Sequence, residues 1–463
     1  MPESRINPSQ RISRLPPYLF GRINALKHQK RQRGIDIIDL GMGNPSDPTP
    51  KVIVDKLCEA ARDPRNHRYS ASRGVFNLRR DVARHYRERY GVELDPETEV
   101  IACIGSKEGI SHMLLAMLGP GDTAVVGDPA FPIHVYGVGL AGANVISVPL
   151  GNDEAFIQRI RYVVAHLYPR PKVIILNYPH NPTAMTVDPP FFDRVVELAN
   201  EFNVAVIHDF AYGETCFDGY KAPSFLSAAG AKDVGVEFTT MSKPYNMAGW
   251  RIGFCAGNRT MVDALGTIKG YYDYGIFQPV QIASIIALRH CQEEVERQGE
   301  IYQQRRDVVL ACCRRLGWKA EIPRASMFVW ARVTDEHLAG QSTIDFVMRM
   351  MEEAEVALAP GRAFGENGEG WVRIALVENE QRLRQAFRQI DRALKKRRSA
   401  ATGRSDQPSA PEPTEPCFPE PQLSEGCLEK PSSSNSQGGT PPSPPLVHQP
   451  IDSGEDGTDL AEE

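Results

Sequence analysis

Long hydrophobic runs are missing from this chain. No stretch of its 463 residues reaches the roughly 18 consecutive apolar residues that a bilayer span needs, so no membrane partner is expected. Strong charge of either sign is missing too. Lys and Arg number 53 against 58 Asp and Glu, a formal net charge of −5, which makes nucleic acid a poor default partner. Cysteine is sparse, with nine residues, an odd count, and no CxxC or His-paired spacing. Neither a disulfide framework nor a metal site is therefore expected, and a reducing, cytoplasmic setting fits. The opening MPESRINPSQRISRLPPYLF lacks the apolar core and small-residue cleavage site of a secretory signal. No internal repeat is visible.

What the chain has is size. With 41% hydrophobic residues over 463 positions, it can bury a large core, and that length suits two folded domains. Residues 1–50 read as an arm partly joining the smaller domain, broken by Pro8, Pro16, Pro17, Pro45, Pro48 and Pro50. Within it, Tyr18 to Arg31 has helical spacing, and Ile35 to Leu40 predicts a strand ending in the turn Gly41-Met42-Gly43-Asn44-Pro45. Helices are predicted over Lys51–Arg62 and Val75–Tyr90. Short apolar runs then alternate with helical stretches: Val100–Ile104, Thr123–Val126, Val145–Val148, Val173–Leu176, Val204–His208, Val236–Met241 and Ile252–Ala256.

Such runs, without polar alternation, suit strands buried on both faces. The fold class is thus α/β: a large domain at 51–295, with a mostly parallel central sheet covered by helices. A smaller α+β domain follows at 296–396, with strands Ser326–Val333 and Trp371–Leu376 and helices near Ile344–Glu353 and Arg382–Lys396. From 397 to 463 the composition turns to Pro, Ser, Glu, Gln and Gly. Too few large apolar side chains remain to offset the entropy of ordering, so this stretch reads as a disordered tail.

Four polar clusters fall where predicted strands end, the edge at which open α/β sheets bind ligands. Gly105-Ser106-Lys107-Glu108 opens a helix whose free N–H groups and dipole favour a phosphate. Asn177 to Thr183, NYPHNPT, is a proline-fixed loop presenting Asn181. Asp209 follows a strongly apolar strand, and a carboxylate buried there needs a cation or hydrogen-bond donors. Lys243 sits in a turn just past Val236–Met241, kept out of helical geometry by Pro244, with Arg251 eight residues on. An ammonium able to form an imine, an acid able to hold a ring nitrogen protonated and a phosphate cradle are the inventory of a pyridoxal phosphate site.

These segments carry a resemblance. LGMGNPSDPTP, HRYSASRGVFNLR, IGSKEGI, DPAFPIH, NYPHNPTA, HDFAYG, TMSKPYNMAGWRIGF and VRIALVEN, in this order from about Arg11 to Ala393, resemble the class I aminotransferases of fold type I. Within them the chain looks most like bacterial alanine (glutamate–pyruvate) aminotransferases, with LL-diaminopimelate aminotransferases close by. The resemblance implies the cofactor pyridoxal 5'-phosphate, amino acid and 2-oxo acid substrates, and a homodimer with shared sites. It implies Lys243 as the catalytic Schiff-base lysine and Asp209 as the partner of the pyridine nitrogen. Tyr212 and Asn181 fall where the phenolic oxygen is bound, and Phe131 where an aromatic ring stacks on the cofactor. Ser106, Lys107, Thr240, Ser242 and Arg251 occupy phosphate-binding positions, with Tyr69 reaching that phosphate from the neighbouring subunit. Arg373 matches the arginine that grips the substrate carboxylate, with Gly43 and Asn181 lining the same pocket. Two departures are Ala184, where many relatives have glycine, and Pro244 beside the lysine.

Substrate choice rests on less. Lys269 to Phe277, KGYYDYGIF, contains no arginine to clamp a side-chain carboxylate as aspartate aminotransferases do. The expected reaction is L-alanine plus 2-oxoglutarate giving pyruvate and L-glutamate. LL-diaminopimelate transamination, a pyridoxal-dependent lyase, and a non-catalytic regulator on the same fold are the alternatives. For the last, the arm is too short and proline-broken for the DNA-binding extension such regulators carry.

Overall fold

The computed structural model describes residues 8–13, 15–17 and 19–402. Most of the expected disordered tail, from 403 on, lies outside the described residues. After the two-residue strand β1 (Ile38–Asp39), seven strands build the main sheet: β2 (Val100–Cys103), β3 (Thr123–Asp128), β4 (Asn144–Pro149), β5 (Val173–Asn177), β6 (Ala205–Asp209), β7 (Gly235–Thr240) and β8 (Gly253–Gly257). Their order is β2-β8-β7-β6-β5-β3-β4. Pairing is parallel from β7 through β6, β5 and β3 to β4, while β8 runs antiparallel to both β2 and β7.

The apolar runs are unbroken because both faces of this sheet are covered. On β5, Ile174 and Leu176 enter one core while Val173 and Ile175 enter another on the opposite face, the two-residue alternation of a pleated strand. The helices Phe76–Tyr90 and Pro189–Phe202 pack into the first core; Ser106–Met117 and Pro132–Leu140 pack into the second. Pro189–Phe202 buries Phe191, Phe192, Val195 and Val196, each side chain contributing about 2 kcal/mol. Its first turn takes Pro189 without loss, because that position has no intrahelical N–H bond to make.

A second, antiparallel sheet has the order β12-β13-β10-β9, from β9 (Lys319–Ala320), β10 (Phe328–Arg332), β12 (Ala359–Pro360) and β13 (Trp371–Ala375). β1 pairs in parallel with β11 (Val356–Ala357), Ile38 opposite Val356. Ile37, Ile38 and Leu40 thereby share a core with Phe328, Phe346, Met350 and Phe387.

Several expectations change. The strand predicted over residues 35–40 shrinks to two residues, and the arm carries two helices, Gln10–Ser13 and Leu19–Gln32. The helix Gln292–Arg315 runs unbroken through the expected boundary at 295, placing Val295 in the main core and Val309 in the smaller one. Nothing in its periodic pattern marks a boundary. The last helix, Glu380–Thr402, continues beyond Lys396.

Candidate active site

The sheet delivers its polar residues to one edge. Asn177, Asp209 and Thr240 are the last residues of the parallel neighbours β5, β6 and β7. Beyond that edge lies a cavity of about 240 Å³. Lys243, Asp209, Asn181 and Tyr212 line it, as do Gly43 and Arg373. Ser106, Lys107, Phe131, Thr240, Ser242 and Arg251 complete the same wall. Every predicted site residue but one is thus brought together. The exception is Tyr69, which is 92% exposed and stacks edge-on against Tyr274.

Lys243 Nζ donates to the Gly43 carbonyl at 2.7 Å. Burial, with the charges of Arg373 and Arg251 adding to it, lowers its pKa to about 7, so much of this amine is neutral at physiological pH. Asp209 is buried, and its carboxylate faces His134 Nε2 at 2.9 Å and accepts the Ala211 N–H at 3.2 Å. The donors that the sequence demands for it are these two. Burial raises the Tyr212 phenol above its ordinary range, against the pull of Arg373 and of a hydrogen bond with Asn181.

Arg373 reaches the cavity from β13. Its guanidinium donates to Asn181 Oδ1 at 2.7 Å and to the Gly41 carbonyl at 2.8 Å. It lies over the rings of Phe328 and Phe364, 4.1 and 4.8 Å from their centres. Planar stacking plus a fork of donors is a geometry lysine cannot reproduce. The carbonyl of Gly41 is available because the chain turns sharply there, and a Cβ on Gly43 would meet Phe328 Cζ at 2.5 Å.

The opposite end is an anion cradle. Gly105 caps the helix Ser106–Met117 at φ 82°, so Ser106 is the first helical residue and not the cap. A Cβ on Gly105 would collide with the Arg251 guanidinium, and one on Gly253 would meet the Ser106 nitrogen at 2.7 Å. Arg251 is itself left-handed, at φ 53°, and donates to the Ala248 carbonyl at 2.7 Å. Thr240 Oγ1 lies 2.9 Å from Ser242 Oγ and accepts the Ser242 N–H. Lys107 Nζ sits 5.8 Å from the centre of the Phe131 ring, its pKa lowered by burial and by Arg251. Under this cradle Glu108, His112 and Asp273 gather, with Lys269 Nζ donating to Asp273 at 2.9 Å.

Sequence reasoning missed His134 and Phe328. His134 lies one helical turn beyond Phe131, inside DPAFPIH, and that spacing was the available signal. Phe328 is an apolar residue in an apolar strand and carries no signal of its own. Ala184, which departs from the glycine of many relatives, adopts φ 59°. There an alanine costs on the order of 1–2 kcal/mol more than in a right-handed conformation.

Comparison with known proteins gives this geometry its class. The sequence model for "Aminotransferase class I and II" matches residues 35–390, and the chain belongs to that family. It is 49% identical over 389 residues to glutamate-pyruvate aminotransferase AlaC of Escherichia coli strain K12, covering 84% of this chain and 93% of that one. It is 43% identical to the LL-diaminopimelate aminotransferase of Moorella thermoacetica, covering 84% of this chain and 98% of that one. Among solved structures, substrate-bound BacF from Bacillus subtilis superposes with a TM-score of 0.79 at 34% identity, covering 84% of this chain and 98% of that one.

The enzyme is a pyridoxal phosphate-dependent aminotransferase acting on amino acids and 2-oxo acids. The cavity fits that cofactor: it joins a half-buried, readily neutral lysine and a buried carboxylate to a cationic, glycine-lined helix start. No described helix is long and apolar enough to cross a membrane.

Proposed function

We propose that this aminotransferase interconverts L-alanine and 2-oxoglutarate with pyruvate and L-glutamate. The observation that carries the site is the meeting of Lys243, Asp209 and Arg373 in one cavity; the 49% identity to AlaC supports the substrate pair.

Lys243 is the residue we assign to attach the cofactor. We assign Asp209 to its ring nitrogen, Asn181 and Tyr212 to its phenolic oxygen, and Phe131 to its ring face. Ser106, Lys107, Thr240, Ser242 and Arg251 are assigned to its phosphate. When bound, the cofactor supplies an electron sink for the pair left when the substrate Cα proton departs. His134 holds the Asp209 carboxylate in place. The amine of Lys243, with a pKa of about 7, would take the Cα proton and hand it to the C4′ carbon of the bound cofactor; a base poised near neutrality suits both transfers. Arg373 grips the substrate carboxylate through its fork of donors. Gly43 gives the cavity room beside Phe328.

The site is completed, in this reading, by a second copy of the chain. Tyr69 lies outside its own cavity, and Tyr271, Tyr272, Tyr274 and Phe277 share its exposure. A homodimer in which Tyr69 enters the partner's cradle accounts for that exposed aromatic set. We also propose the division into an arm to residue 50, a large domain to 295 and a small domain to 396, supported by the separate cores that Val295 and Val309 enter. So is a cytoplasmic setting: among the described residues no cysteine pair forms a disulfide.

LL-diaminopimelate is the rival donor, favoured by relatives such as that at 43% identity. The test is incubation of the purified enzyme with each donor and 2-oxoglutarate. Glutamate and pyruvate from L-alanine uphold the proposal. Preference for LL-diaminopimelate overturns the substrate pair, ammonia release points to a lyase, and no turnover with any donor points to a binding role.

A further inference from the structure

Asp209 turns to the cofactor cavity, and its chain neighbour turns into a dry network inside the sheet. His208 and Glu237 are register partners on β6 and β7, and neither has any exposed surface. Glu237 Oε1 accepts from the Tyr86 and Ser224 hydroxyls at 2.9 and 2.8 Å. Its Oε2 accepts the Phe225 N–H at 2.8 Å and faces His208 Nδ1 at 2.8 Å. A buried carboxylate so surrounded is satisfied, and it accepts the hydrogen bond of the ring's Nδ1–H. His208 Nε2 is then left to Tyr178, whose N–H lies 3.2 Å away and whose carbonyl lies 3.0 Å away.

Tyr178 is the first residue past β5, in the loop that carries Asn181. From there the contacts run back to the site. Asn177 donates to the Asp209 carbonyl at 2.8 Å and accepts the Asn181 N–H at 2.9 Å. Asn181 in turn accepts from Arg373 at 2.7 Å. Holding β6 to β7 does not require His208, because the backbone ladder pairs them directly. Nor does Glu237 need it for satisfaction, since three other donors remain. What His208 alone supplies is a partner for the Tyr178 backbone.

We propose that His208, oriented by Glu237, is a positioning residue for transamination: it fixes the loop 177–183 from inside the sheet and, through Asn181, the aim of the Arg373 guanidinium. The proposal rests on the assignment of Asn181 and Arg373 to the substrate and cofactor site.

The experiment uses holoenzyme of wild type, His208→Phe and Ser224→Ala. Phenylalanine keeps the ring among Phe192, Phe210 and Phe225 and removes both nitrogens. For His208→Phe the KM for amino acid and for 2-oxo acid is expected to rise about 2- to 30-fold, with a smaller change in kcat. The pH midpoint of the holoenzyme's visible absorbance is expected to shift as well, because Asn181 has moved. Ser224→Ala removes one donor to Glu237 and leaves the His208–Tyr178 contact; it lowers Tm while KM and midpoint stay at wild type.

His208→Leu is the second variant. It also removes both ring nitrogens, with less bulk among Phe192, Phe210 and Phe225; KM rises in the same direction. Should His208→Phe fail to fold, this variant carries the same test. Wild-type KM and midpoint in a folded variant of His208, or equal KM changes in Ser224→Ala, overturn the positioning role alone. Absence of transamination in the wild-type control overturns the assignment of function, and this proposal with it.

Discussion

Lys243 Nζ donates to the carbonyl of Gly43, a residue 200 positions earlier in the chain, at 2.7 Å. The bond ties the turn after β7 to the segment that follows β1, and it holds the amine beside Asp209 and Arg373 in one cavity. Lys243→Ala removes both the cofactor attachment and the base. Transamination is expected to fall by at least about 100-fold, with loss of the visible absorbance of a lysine-attached cofactor. Assay and spectrum of the purified variant check this, and near-normal turnover removes Lys243 from its role.

Asp209→Ala takes away the acid facing His134 at 2.9 Å. The variant leaves the buried His134 Nε2 and the Ala211 N–H without their acceptor, a loss of about 1–3 kcal/mol per stranded donor that a chain of this size is expected to survive. Its kcat is expected to drop about 100- to 1000-fold, the usual cost of losing one electrostatic group aimed at developing charge. A wild-type kcat with cofactor bound contradicts the assignment.

The strand ends were the legible part of this molecule. Apolar runs ending in Asn177, Asp209 or Lys243 put polar groups where a parallel sheet exposes its edge, and the structure gathers them in one cavity. Strand direction was less legible, because the run Ile252–Ala256 has no pattern that distinguishes the antiparallel β8 from the parallel strands of the same sheet. Long-range pairings were hidden altogether. His134 meets Asp209 across 75 residues, and Phe328 supports Arg373 from another strand; neither follows from spacing along the chain. Tyr69 was legible only as part of a motif, since in its own chain it is exposed and lies outside the cavity that gathers the other site residues.

Arg373→Lys keeps a positive charge but loses the fork that now spans Asn181 and the Gly41 carbonyl. Charge-assisted hydrogen bonds of this kind are worth about 1.5–3 kcal/mol, so KM for amino and oxo acids is expected to rise about 10- to 100-fold. Cofactor content stays at wild type. Steady-state kinetics alongside cofactor absorbance separates the two, and unchanged KM contradicts the carboxylate role.

If Tyr69 serves the partner's site, two damaged chains repair one another. Tyr69→Ala is expected to weaken cofactor retention about 10-fold, in line with one lost hydrogen bond to a charged group. Mixed dimers of Tyr69→Ala with Lys243→Ala then hold one site with both residues intact. Activity rising to about a quarter of the wild-type level after equimolar mixing, where about half the dimers are mixed and each holds one intact site, supports the shared site; activity at the sum of the separate variants shows that Tyr69 works elsewhere.

The depressed pKa of Lys243 also predicts how the cofactor-free protein responds to pH. Folded, the amine titrates near 7, because burial and the charges of Arg373 and Arg251 disfavour its charged form; unfolded, it titrates near 10.4. Between those values the unfolded chain binds more protons than the folded one, so stability rises with pH. The penalty for burying this charge is therefore in full force below pH ~7 and gone above pH ~10.4. Lys243→Ala has no such group. Relative to that variant, wild-type apoprotein is expected to gain stability, on the order of a few kcal/mol, across the window from pH ~7 to ~10. Urea unfolding of both proteins at pH 6.5, 8 and 9.5 measures the difference. A wild-type-minus-variant stability that stays flat over that range means the amine keeps its ordinary pKa, and Lys243 is then not the neutral base that the reaction needs.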